Sequence, residues 1–161
     1  MKKSLLILLS LALLLSLASC QGKNYTDDVA VLPLVENAIS ALGDDLDFST
    51  AQSGYLDDYF TTPSYVTDSV IQFATSGNNL DEVGIFHVTA GNAKEMASLL
   101  EDYLSRSYEA NQAWYDSYIP QETPKLRDAE VKAFGNYVVY AILSSSDRTV
   151  FFNGIEAELS E

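Results

Sequence analysis

Cysteine and histidine are nearly missing from this chain: Cys20 and His87 are the only ones among its 161 residues. A single cysteine excludes a disulfide within the chain, and in a secreted protein an unpaired cysteine calls for an explanation. A single histidine excludes a two-histidine metal site, a multi-histidine relay and the His-Glu-x-x-His helix. Basic residues are scarce as well, 9 against 23 acidic for a net charge of −14. Nucleic acid and anionic surfaces therefore repel the chain, within a screening length of about 8 Å at physiological salt. Glycine-rich phosphate loops, a Gly-x-Ser-x-Gly elbow, a basic stripe and heptad repeats are also missing, which removes nucleotide, serine-hydrolase, nucleic-acid and long coiled-coil readings. The composition itself, 47% apolar and 11% aromatic, suits one compact domain.

The one long apolar run lies at the start. Lys2 and Lys3 precede Leu5 to Ala18, broken only by Ser10 and Ser16, and the run ends in Leu17-Ala18-Ser19-Cys20. As a helix it spans about 21 Å, short of the roughly 30 Å hydrocarbon core, so a permanent spanning anchor is the weaker reading. The pattern is that of a secretory signal ending in a lipobox. Small residues before the cysteine admit the chain to a membrane peptidase, which cuts between Ser19 and Cys20 once the thiol carries lipid. A diacylglyceryl group brings two acyl chains of the palmitate kind, and at ~0.8 kcal/mol per buried methylene two chains hold a protein stably where one does not. We therefore expect residues 1–19 to be a signal peptide, 20–28 a lipidated tether and 29–161 a single domain. Its place is then the outer face of the cytoplasmic membrane, and Gln21 to Asp27 reaches at most roughly 25 Å.

Beyond the tether, Pro33 to Leu42 carries Leu34, Val35, Ala38, Ile39 and Leu42 at helical spacing, with Gly43 just past the end. A second short helical pattern holds Gln52, Tyr55, Leu56, Tyr59 and Phe60 and stops before Pro63. Ser69 to Thr75 and Val83 to Val88 read as a hairpin around Ser76-Gly77-Asn78-Asn79. Asn92 with Glu95 looks like a capping box opening a long helix that runs to Pro120. Its buried stripe is expected at Ala93, Met96, Ala97, Leu100, Leu104, Asn111, Trp114 and Tyr118. A second hairpin, Glu130 to Phe134 and Tyr137 to Ser144 around Gly135-Asn136, leads to a last helix from Asp147 that buries Phe151, Phe152, Ile155 and Leu159. The expected fold is α+β: a four-stranded, mainly antiparallel sheet in a doubled strand-strand-helix pattern, with N-terminal helices. Tyr137 to Leu143 and Val83 to Val88 are apolar on both faces and belong inside the sheet, whereas Glu130 and Lys132 suit an edge. The long and C-terminal helices are expected on one face, the N-terminal helices on the other.

The leader, the Ile-Phe-rich strand, the long helix leading into Tyr118-Ile119-Pro120-Gln121-Glu122, and then Gly135-Asn136-Tyr137-Val138-Val139 together carry a likeness. From about Pro63 onward the chain resembles bacterial lipoproteins of domain-of-unknown-function family 4358. His87 departs from that pattern, standing where a lysine is expected. The resemblance implies an extracytoplasmic lipoprotein of a Gram-positive bacterium and brings no catalytic residues.

No constellation of residues demands catalysis, a resident metal or a cofactor. His87, between Phe86 and Val88, reads as a partly exposed packing residue. Two carboxylates about 5 to 9 Å apart suffice for glycoside hydrolysis, so a small glycan hydrolase remains the enzymatic alternative. Asp44, Asp45 and Asp47 crowd one loop and offer oxygen ligands to a cation such as calcium, yet the spacing of an EF-hand is missing, and solvated turn residues are the leading reading. The ten tyrosines and Trp114 invite sugar or peptide stacking. Tyr103, Trp114 and Tyr118 fall on or beside the helix stripe, Tyr137 and Tyr140 on opposite faces of a strand, and Tyr108 and Tyr115 on the exposed side. The expected function is a lipid-anchored, non-enzymatic binding or interaction domain. Its partners are the membrane, through lipid on Cys20, and a protein, cell-wall fragment or small solute, with nucleic acid excluded.

Overall fold

A computed structural model describes residues 23–43 and 47–161. Ser19 and Cys20, together with Asp44 and Asp45 of the acidic loop, lie outside the described residues. The chain runs α1 (Val31–Ser40), β1 (Phe48–Thr50), β2 (Val66–Ala74), β3 (Glu82–Val88), α2 (Ala93–Tyr118), α3 (Thr123–Arg127), β4 (Glu130–Phe134), β5 (Tyr137–Ile142) and α4 (Ser145–Leu159). The class is α+β as expected, but the sheet has five strands rather than four, in the order β1-β2-β3-β5-β4 with every neighbouring pair antiparallel. The additional strand is β1, which pairs Phe48 with Ala74 and Thr50 with Gln72. Three residues are too few for an alternating pattern to stand out in a sequence, and two of them are polar and exposed.

β3 and β5 lie side by side at the centre and β4 lies at the edge, as their apolar and mixed patterns predict. The β4–β5 turn is the expected one. Gly135 takes φ +61°, the conformation that a two-residue type II′ hairpin asks of its first central residue and that glycine adopts without steric cost.

The helices are distributed differently from expectation. α1 and α4 share one face, where Leu34, Val35, Phe151, Ile155 and Leu159 pack on Val83, Ile85, Val139 and Ala141. α2 covers the other, with Met96, Leu100, Tyr103 and Leu104 over Phe86, Val138, Tyr140 and Ile142. The alternation of β3 and β5 explains why both faces need cover. α1 and α4 meet where Gly154 faces Ala38, and a Cβ on Gly154 would make an ordinary 3.7 Å contact with Ala38.

The segment expected as a second N-terminal helix is instead a run of tight turns. Asp57 N donates to Gly54 O and Tyr59 N to Leu56 O, and Gly54 at φ +82° breaks any helix there. Leu56 nevertheless points inward, and Tyr59 and Phe60 pack on the same cluster, so the apolar spacing identified the buried side chains without the backbone. The capping box at Asn92 does not form either. The Asn92 amide turns back and donates to Thr89 O and Thr89 Oγ1 at 3.1 and 2.8 Å. α4 starts slightly before Asp147, because Ser144 is the cap and accepts from Asp147 N at 3.2 Å.

The chain is tied down before α1. Tyr25 forms an antiparallel bridge with Ser160, Thr26 N donates to Leu159 O and Glu161 N to Asn24 O. The Tyr137 hydroxyl accepts from Val29 N and donates to Val29 O, at 2.9 and 2.8 Å, fixing the entry to α1 against β5.

Candidate functional site

The α2 face of the sheet contains an acid in its interior. Glu82 opens β3 on the same face as Gly84 and Phe86 and is 7% exposed. Its carboxylate receives three phenols. Tyr103 from α2 and Tyr140 from β5 both donate to Oε1 at 2.7 Å, and Tyr55 from the turn segment donates to Oε2 at 2.7 Å. Distances near 2.7 Å are those of charge-assisted O–H donors. Moving a lone carboxylate out of water costs several kcal/mol, and donors from three separate segments offset that cost.

Gly84 makes the arrangement possible. It pairs with Tyr140 across the β3–β5 ladder, and a Cβ there would lie 2.2 Å from the Tyr140 ring. Only glycine lets that ring lie flat over the strand and direct its hydroxyl back toward Glu82. Burial, followed by the charge of Glu82, pushes the Tyr55, Tyr103 and Tyr140 hydroxyls well above the ordinary phenol range.

Beside this carboxylate lies a cavity of about 360 Å³. Tyr55, Tyr59, Phe73, Tyr103 and Tyr115 supply its aromatic wall, and Asn79, Ser107 and Asn111 add polar groups. The volume lies within the roughly 300–1,000 Å³ range of small-molecule sites. Tyr55 is 42% exposed and marks the mouth. Tyr55 stacks on Phe73 with centroids 5.6 Å apart, and Tyr59 meets Tyr103 edge to face at 4.7 Å, so the walls brace one another. The Arg106 guanidinium lies 5.4 Å from the Tyr59 ring centroid.

A second acid, Asp81, also lines the cavity but is committed elsewhere. Lys125 Nζ lies 2.7 Å from Asp81 and 2.8 Å from Glu122, and donates to Asn79 Oδ1 at 3.1 Å. Glu122 in turn accepts from Leu80 N at 3.1 Å. Burial alone would lower the Lys125 ammonium, but its bonds to Asp81 and Glu122 outweigh that and raise it. This cluster clamps the β2–β3 loop to α3 and so holds the start of β3, where Glu82 sits. The proline step after α2 thus has a structural role: the chain turns at Pro120 and brings Glu122 and Lys125 back under the sheet.

The other residues singled out from the sequence fall elsewhere. His87 is partly buried on the opposite side: its ring stacks on Tyr137 at 4.5 Å, its Nε2 lies 2.8 Å from Asp27 and its Nδ1 lies 3.0 Å from Thr67 Oγ1. The bonds from His87 and Asn136 hold Asp27 below the usual carboxylate range. Asp47 is exposed and accepts from Thr75 Oγ1 at 3.0 Å. Among the described residues no three of His, Cys, Asp and Glu converge as a metal site requires.

Two aromatic assignments reverse. Trp114 and Tyr118, expected on the buried stripe, are 53% and 69% exposed and stack on each other at 5.0 Å. Tyr108 and Tyr115, expected outside, pack against the core. The fully buried positions of α2 end at Ser107, so the helix outruns the sheet and its stripe rotates past the surface it covers. Tyr137 and Tyr140 do occupy opposite faces. Glu82 escaped notice in the sequence, although the acid pair Asp81-Glu82 between Leu80 and Val83, at the head of a strand apolar on both faces, was the available signal.

The family model of a domain of unknown function (DUF4358) matches residues 49–143. That stretch contains every residue lining the Glu82 cavity and leaves out α1 and α4. It begins before Pro63, where the resemblance read from the sequence starts, and so takes in Tyr55 and Tyr59. Neither the comparison with curated proteins nor that with solved structures gave a match.

Proposed function

The chain belongs to the DUF4358 family, and on that footing we propose that it is a lipid-anchored, extracytoplasmic and non-enzymatic binding protein whose ligand site is the Glu82 cavity. The observation that carries the binding reading is the cavity itself: a preformed aromatic pocket with a buried carboxylate at its wall. The anchoring reading is supported by Leu17-Ala18-Ser19-Cys20 behind an apolar run. With Asn24, Tyr25 and Thr26 bonded to the C-terminal residues, only Gln21 to Lys23 separate a lipidated Cys20 from folded protein. Three residues reach about 10 Å, so the domain rests against the headgroups, with its N-terminal strap and the end of α4 toward the membrane.

The arrangement favours binding over glycoside hydrolysis. A hydrolase needs one carboxyl to give a proton and a second, across the cavity, to act as base or nucleophile. Here Glu82 accepts from three hydroxyls and Asp81 is engaged by Lys125. Membrane fractionation of wild type and of a mature, non-lipidated chain beginning at Gly22 tests the anchor: the non-lipidated chain is expected in the soluble fraction, correctly folded, and its retention on the membrane overturns the lipid reading. A thermal-shift screen of muropeptides, oligosaccharides, amino acids and divalent cations tests binding, because a ligand at about 100 times its Kd adds roughly 2.7 kcal/mol. Glycan cleavage lost in Glu82→Gln would return the hydrolase.

A further inference from the structure

We infer that the Glu82 cavity takes a small organic ammonium ion, a ligand class that rests on the binding reading above and makes it specific. The first argument is charge. Glu82 is more than nine-tenths buried and has no ion-pair partner among the described residues, whereas Asp81 beside it is paired with Lys125. Three phenols disperse the charge of Glu82 but bring no positive charge.

The second argument is valence. A carboxylate has about four acceptor positions. Tyr103 and Tyr140 share Oε1 and Tyr55 alone serves Oε2, which leaves one position on Oε2, the oxygen served from the cavity mouth.

The third argument is the wall. Tyr55, Tyr59, Tyr103, Tyr115 and Phe73 line the cavity together with Glu82, and aromatic faces attract a desolvated ammonium through their quadrupoles. The protein already places a cation over one of these rings, Arg106 over Tyr59. A hard metal ion fits poorly: calcium asks for six to eight oxygens, carboxylates prominent among them, and among the described residues no three of His, Cys, Asp and Glu converge as such a site requires. A primary ammonium ion donates to Oε2, while a quaternary one relies on the rings and on the unneutralised charge.

The test is calorimetric titration of the full chain in detergent with choline, putrescine and calcium chloride. Its neutral controls are 3,3-dimethyl-1-butanol, which replaces the quaternary nitrogen of choline by carbon, and N-acetylglucosamine oligomers. At least one of the two amines is expected to bind; for choline, the preference over its carbon isostere is expected to be at least about tenfold. The bound amine is expected to lose at least about tenfold in affinity in Glu82→Gln. Because Glu82→Gln removes a buried acceptor and can unfold the domain, Tyr115→Leu is the companion variant. It lies outside the three-phenol network and is expected to weaken whichever of the two amines binds, with the circular dichroism spectrum unchanged. Equal binding of choline and its isostere, without putrescine binding, overturns the inference, as does tight binding of calcium alone. Binding of the oligosaccharide alone overturns the ammonium class and keeps the binding reading. Silence from every probe, here and in the thermal screen, removes both.

Discussion

The two faces of the sheet are built from the same strands and have opposite characters. On the α1–α4 face the inward residues are almost wholly apolar, and Leu34, Val35, Val83, Ile85, Tyr137, Phe151, Ile155 and Leu159 are sealed from solvent. On the α2 face the next residue along each strand meets a carboxylate, three phenols and a cavity. A shift of one residue in β3 separates Val83, packed in oil, from Glu82, held by hydroxyls. The first face maximises buried apolar area, which scales with stability. The second gives up area for a preorganised polar group beside an open space, the usual form of a binding site. The family match spans the second face and omits both helices of the first.

Substitutions can break this division, beginning with the largest effect. Phe151→Ala, at a fully buried position, is expected to cost about 4 kcal/mol by denaturant unfolding, with ligand binding at the Glu82 cavity unchanged below the unfolding transition. A proportionate loss of binding would merge the two faces into one unit. Gly84→Ala forces a Cβ into the Tyr140 ring and is expected to cost about 3 kcal/mol. It should also dislodge the Tyr140 hydroxyl from Glu82, visible as a changed tyrosine titration.

Tyr103→Phe removes one charge-assisted hydrogen bond and is expected to cost about 1.5 kcal/mol. It also sharpens the comparison through pH. The three phenols titrate higher in the folded chain than the ordinary value of 10.0, so above that pH the folded state keeps protons that the unfolded state has lost. Their contribution is complete below the unfolded value and falls as pH rises through it. Lys125, raised above 10.5, acts in the same direction. Urea midpoints measured from pH 9 upward should therefore fall more steeply in wild type than in Tyr103→Phe, and parallel curves would remove the network from the account. The smallest effect is expected for Trp114→Ala, within about 0.5 kcal/mol. A larger loss would mean that the exposed end of α2 is bound by something in the folded protein.

Local patterns carried the fold where they had enough residues to be read. Glu130 to Phe134 was predicted to the residue, because its mixed faces and the following Gly135-Asn136 leave one reading. The central positions of β3 and β5 followed from their two apolar faces. β1 was missed because three residues form no period, and the segment from Gln52 to Phe60 was misread because tight turns at Gly54 and Leu56 mimic helical spacing. Trp114 and Tyr118 were placed in the core because periodicity says which side of a helix is apolar but not where the sheet beneath it ends. The candidate site was the least legible part. Tyr55, Glu82, Tyr103 and Tyr140 come from four separate segments, and no local spacing links them.

The sequence alone determined the class of fold, the hairpin at Gly135, the central strands and the exclusion of a two-histidine metal site and of a disulfide within the chain, since each depends on residue type or on periodicity within a few positions. Tertiary structure decided which helices share a face, where α2 leaves the core, and that Glu82 is met by three hydroxyls beside a cavity. Those outcomes depend on distances between segments far apart in the chain. A buried charge is stable only when donors from several elements reach it together, and that convergence exists only once the sheet and α2 have packed.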